Sequence, residues 1–109
     1  MMNKKIFLSF GLLFSSFSMA DSQVNYLNVE NSTVIFSLAE LKAHSIPACV
    51  EQALQDKYAV SLNTHSGQMI YASLLTAVAN NLAVEVIAAG DCNDAFGIER
   101  PDSVALISR

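Results

Sequence analysis

The chain has no tryptophan, two prolines, four glycines and two cysteines in 109 residues. The glycines are scattered, so no Gly-rich phosphate-binding loop can be built from them. Basic residues are also sparse, with six Lys and Arg against ten Asp and Glu and a net charge of −4. Phosphate recognition needs clustered cations. Beyond the first few residues the cations are Lys42, Lys57, Arg100 and Arg109, widely separated. That spacing excludes nucleic acid as a partner and disfavours an anionic membrane surface. No C-x-x-C pair, internal repeat or linker is present.

The start of the chain reads as a secretory signal peptide. Met1–Lys5 carries Lys4 and Lys5, Ile6–Phe17 is apolar apart from a few small residues, and Ser18-Met19-Ala20 places small residues at a cleavage site. An uncleaved anchor is the alternative, but the apolar run is short for a membrane span. No cysteine follows Ala20, so a lipoprotein is not expected. Cleavage after Ala20 leaves residues 21–109 as a single periplasmic or secreted domain. Loss of Lys4 and Lys5 takes the charge from −4 to −6. A domain this small has a marginal core and gains from a staple. In an exported chain the even cysteine count reads as a Cys49–Cys92 disulfide. Its long loop is worth roughly 3–5 kcal/mol. A redox or metal pair is the alternative and lacks the usual spacing.

Residues 24–29 and 33–38 (TVIFSL) read as two strands of a hairpin around the turn signal Asn31-Ser32. Asp21–Gln23 reads as a loose end, Ala39–Ser45 as a helical turn or loop, and Glu51–Asp56 as a polar loop. Pro47 keeps Cys49 in or beside an edge segment. Lys57–Asn63 alternates, with Tyr58, Val60 and Leu62 on one face. Thr64 or Ser66 can cap a helix that Asn81 ends in the left-handed conformation. Its apolar stripe, Ile70, Leu74, Ala77 and Val78 flanked by Tyr71, Leu75 and Leu82, predicts burial over more than half the circumference. Ala83–Ala89 reads as a central strand and Ser103–Ser108 as the closing one.

Candidate sites are few. Asp91, Asn93, Asp94 and Glu99, with Gly97, gather oxygen ligands in one loop, but their spacing departs from a calcium loop and a solvated turn is the favoured reading. His44 and His65 are the only histidines. A Cys–His nucleophile needs a free thiol, and Ser45 and Ser66 are only sequence neighbours of these histidines. Glu85 interrupts an apolar strand and is read as pointing to solvent from the uncovered sheet face, with a partner subunit as the alternative. Tyr71 suits a core or an interface. No catalytic residue, metal ligand or cofactor is assigned.

Cys49, the turn Thr64-His65-Ser66-Gly67, the helix Tyr71–Ala79, the segment Gly90-Asp91-Cys92 and the closing strand together resemble a group of small exported bacterial proteins, mostly uncharacterised. The layout is similar in topology to the B subunits of AB5 toxins of the subtilase and cholera types. That resemblance implies an OB-like five-stranded barrel with one long helix between the third and fourth strands and one disulfide. It also implies a ring of identical copies that binds host glycans. The glycan-contacting residues do not carry over, and Cys49 follows two strands where the cholera type has its first cysteine near the N-terminus. The expectation is a mainly β, non-catalytic binding module for a glycan or protein ligand. The alternatives are a small structural or assembly subunit of an envelope complex and a secreted inhibitor. The sequence leaves the ligand-binding residues open.

Overall fold

The structure, a computed structural model, describes residues 22–108; the signal-peptide reading lies outside the described residues. Five strands and one long helix follow in order: β1 Ser22–Glu30, β2 Thr33–Leu38, β3 Lys57–Ser61, α1 His65–Asn80, β4 Ala83–Ala88 and β5 Pro101–Ile107. The ladders are all antiparallel. They form one open sheet in the order β3-β2-β1-β4-β5. The fold is therefore mainly β, with its helix between the third and fourth strands and a Cys49–Cys92 disulfide. One isolated parallel bridge, Tyr58 with Glu99, brings the outer edge of β3 to the residues just before β5. Among the described residues no helix is long and apolar enough to cross a membrane.

Local chemistry explains most boundaries. Asn31 and Ser32 both take positive φ, 51° and 63°, as a two-residue hairpin turn between twisted strands requires. Thr64 accepts a hydrogen bond from the Gly67 N–H at 2.9 Å, and Asn81 closes α1 at φ 58° and ψ 39°. A Cβ at Gly67 would collide with the Ser61 carbonyl oxygen. The first helical turn therefore packs on the end of β3, which stops at Ser61 rather than Asn63. Phe36 and Tyr58 face each other across β2 and β3 and stack with centroids 5.1 Å apart. With Val34, Val60, Ile70 and Leu74 they form the core.

Four expectations need correction. Ser22 and Gln23 are not a loose end, because they pair with Val84 and Ala83. A register shift between Val24 and Tyr26 explains the imperfect alternation of β1. The polar stretch Glu51–Asp56 contains a 3-10 turn, Gln52–Leu54. The closing strand begins at Pro101, at the strand start where a residue without N–H is tolerated. The largest correction concerns α1: only Gly67, Ile70, Leu74 and Ala77 are buried, while Leu75 and Val78 are exposed. The helix lies along one side of the sheet and buries a narrow stripe, not half its circumference.

Candidate functional site

Two irregular segments meet beyond the sheet: residues 39–56, between β2 and β3, and residues 89–100, between β4 and β5. They are clasped at three points. At the first, the Glu99 carboxylate is fully buried and Lys42, its side chain 5% exposed, places Nζ 2.8 Å from Oε1. His44 Nε2 lies 3.0 Å from both carboxylate oxygens. Against an ionised carboxylate the ring nitrogen is the donor. At the second, the disulfide joins Cys49 to Cys92. At the third, the Glu51 N–H donates to the Gly97 carbonyl at 2.9 Å.

The Lys42 ammonium is fully used. It also donates to the Lys57 carbonyl at 2.7 Å and sits 4.0 Å from the centre of the Tyr58 ring. Burial, and then the Glu99 charge, push the Tyr58 hydroxyl up to about 12. It is therefore a neutral donor at any physiological pH. Glu99 has both oxygens committed and no solvent contact. It holds the 39–56 segment and is not available to act on a substrate.

Beside this cluster a cavity of about 170 Å³ opens between the 39–44 segment and the sheet. Leu38, Leu41 and Val86 give it apolar walls, His44 and Tyr58 a polar side, and Glu40 and Asp56 two carboxylates. Its volume is well below the roughly 300–1,000 Å³ of pockets for drug-sized ligands. Neither the Tyr58 hydroxyl nor His44 Nδ1 has a hydrogen-bond partner among the described residues. A shallower groove of about 560 Å³ runs along the disulfide, lined by Pro47, Cys49, Cys92 and Phe96. Phe96 is 87% exposed on it.

The acidic loop does not converge on one point. Asp91 pairs with Arg100 through two bonds of 2.8 Å and accepts the Asn93 N–H at 3.0 Å. Asp94 accepts the Ser61 N–H at 2.8 Å. Glu99 turns to Lys42. The solvated-turn reading is thus corrected, since each of these three carboxylates is a fastener. Among the described residues no group of three His, Cys, Asp or Glu is placed for a metal ion, and no cysteine is free. His65 lies exposed at the start of α1, and both cysteines are taken up by the disulfide. Glu85 lies on the sheet face opposite Val84 and Val86, across from Ala105. Tyr71 packs at the margin of the core.

The hydrogen bond from Arg100, followed by that from Asn93, lowers the Asp91 carboxyl to about 2. Asp91 in turn raises the Arg100 guanidinium. The folded carboxyl is thus more acidic than the unfolded one, near 4. Its stabilisation is present above about pH 4 and is lost as pH falls through about 2. Both side chains are about 30% exposed, so solvent screening trims the contribution to about 1 kcal/mol. Asp91→Asn should therefore cost about 1 kcal/mol at neutral pH, and the difference from wild type should vanish near pH 2. Urea unfolding at the two pH values checks this.

Sequence reasoning missed Lys42 and the burial of Glu99. A signal was there: Lys42 and His44 are two apart, so an extended chain turns both to one side. Compared with protein-family models, with curated proteins and with solved structures, the chain has no match in any of the three.

Proposed function

We propose that the protein is an exported, non-catalytic binding module, OB-like in plan, whose cavity at His44 and Tyr58 takes one neutral sugar residue of a glycan. The observation that carries this reading is the cavity itself. It offers a hydroxyl and a ring nitrogen with no partner among the described residues, two carboxylates, and apolar walls. Sugars present both hydroxyls and apolar C–H faces. Carboxylates accept from hydroxyls. Asp56 is paired with Lys57, so Glu40 is the carboxylate that disfavours an anionic sugar. The described cations, Lys42, Lys57 and Arg100, are each held in an ion pair, which leaves no cationic patch for a phosphate or sulfate group. The resemblance to toxin B subunits supports the glycan class by analogy. The strand order and the Tyr58–Glu99 bridge support an OB-like barrel opened along the seam between β3 and β5.

A glycan array probed with the wild-type protein and with Tyr58→Phe tests this. Neutral glycans should bind, and loss of the hydroxyl should weaken them about tenfold, the worth of one hydrogen bond of about 1.4 kcal/mol. Binding only to anionic glycans, or equal binding by the variant, would remove the assignment. A second reading, a protein ligand, rests on Phe96. An exposed aromatic on a fastened loop is the usual form of an interface anchor. Silence on the array together with one tight protein partner would favour that reading, and with it the envelope-assembly or inhibitor role.

A further inference from the structure

The cavity at His44 and Tyr58 has a neighbour. A groove of about 670 Å³ lies where the end of α1 meets the sheet, and Ser22 and Glu40 line both hollows. The Glu40 N–H donates to Ser22 Oγ at 2.9 Å, and the Ala39 N–H donates to the Gln23 carbonyl at 2.8 Å. These bonds hold residues 39–40 against β1, so Ser22 and Glu40 form the rim between cavity and groove. The groove is larger than the cavity and falls within the roughly 300–1,000 Å³ of ligand sites. Its polar lining is mostly carboxamide. Gln23 donates one N–H to the Asn81 carbonyl at 3.0 Å, and Asn80 donates one to the Thr76 carbonyl at 2.9 Å. A carboxamide has two N–H donors and a carbonyl. Each of these groups therefore keeps a second N–H and its oxygen while the first bond holds it in place. Asn81, set in the left-handed conformation that caps α1, adds a third amide. Leu82 and Ile107 supply apolar surface, and the described lining residues include no Lys, Arg or His.

We infer that this groove is a second subsite, holding the sugar residues that follow the one in the cavity. The ligand is then a neutral oligosaccharide chain and not a single terminal sugar. The inference rests on the sugar reading of the cavity. Continuity is the first argument for this occupant. A chain that leaves the cavity over Ser22 and Glu40 enters the groove directly, and the exposed Glu40 carboxylate can accept hydroxyls on either side of the rim. Chemistry is the second. A sugar hydroxyl both donates and accepts, and so does a tethered carboxamide, so adjacent hydroxyls can be met by paired bonds. A phosphate or sulfate offers acceptors only, finds no cation among the described lining residues and meets Glu40. Leu82 and Ile107 suit the apolar C–H faces of the rings. Because Gln23 and Asn80 are already anchored, they lose little further side-chain freedom on binding.

Calorimetric titration with matched mono- and tetrasaccharides tests the inference, using α-linked glucose, β-linked glucose and N-acetylglucosamine as probes. The proteins are the wild type and the double variant Asn80→Ala, Asn81→Gly. Alanine is a better helix former than asparagine, and glycine keeps the left-handed cap. The variant therefore removes two amides and should leave the circular dichroism spectrum unchanged. With wild type the tetrasaccharide of the preferred series should bind about tenfold tighter than its monosaccharide, or better, the worth of one or two added hydrogen bonds. The variant should lose that gain and bind the monosaccharide as wild type does. In NMR spectra of the wild type, the tetrasaccharide and not the monosaccharide should shift the side-chain amides of Gln23 and Asn80. A tetrasaccharide no tighter than its monosaccharide, a gain that survives in the variant, or unmoved Gln23 and Asn80 amides would each overturn the subsite and leave the cavity assignment standing. No shift at His44 or Tyr58 with any of these sugars would remove the cavity assignment, and the subsite with it.

Discussion

Replacing Cys49 and Cys92 together by serine should lower stability by about 4 kcal/mol. The bond spans 43 residues, and the loop-entropy treatment assigns a closure of that length about 4 kcal/mol at 25 °C. A small domain has about 5–15 kcal/mol in total, so the reduced protein should sit close to its unfolding threshold. Urea titration of the oxidised protein and of the double variant measures the difference directly. The midpoint should fall, and the dependence on urea should steepen because the uncrosslinked unfolded chain is less compact. A change below about 1 kcal/mol would mean that the 39–56 and 89–100 segments are held together without the bond.

Glu99→Ala is the second large effect, expected at about 3–5 kcal/mol. The carboxylate is fully buried and its main partner, Lys42, is nearly so. Removing the anion leaves a desolvated ammonium whose remaining partners are the Lys57 carbonyl and the Tyr58 ring. Glu99→Gln keeps the shape and the hydrogen-bond acceptor but not the charge, and should fall between wild type and alanine. Denaturant unfolding of the three proteins at neutral pH gives the order. Because the ion cluster and the disulfide clasp the same two segments, their losses should not add. Once one fastener is gone, the segments have already loosened and the second removal costs less. A triple variant whose loss equals the sum would argue that the fasteners act on separate structures.

The alternation Tyr58-Ala59-Val60 marked β3, and the caps at Thr64 and Asn81 bounded the helix, because these are local backbone effects. The even cysteine count marked the staple on different grounds, since in a chain read as exported two cysteines have only each other to pair with. What was not legible depends on contacts between distant residues. Glu99 follows Ile98 and precedes Arg100 and Pro101 in what reads as a polar loop. Only the bridge to Tyr58 carries it under the 39–44 segment. The burial of α1 was overestimated because apolar composition does not say how much sheet is there to cover it. The cavity is invisible in sequence because its walls come from β1, β2, β3, β4 and the segment between β2 and β3.

The proposed sugar site is shaped by the clasped 39–44 segment. The direct measurement is a two-dimensional NMR titration of the isotopically labelled protein with neutral monosaccharides. Saturable shifts should appear at Leu38, Lys42, His44, Tyr58 and Val86, with α1 and the Phe96 loop unmoved. No saturable shift with any neutral sugar, or shifts centred on Phe96, would contradict a sugar site there.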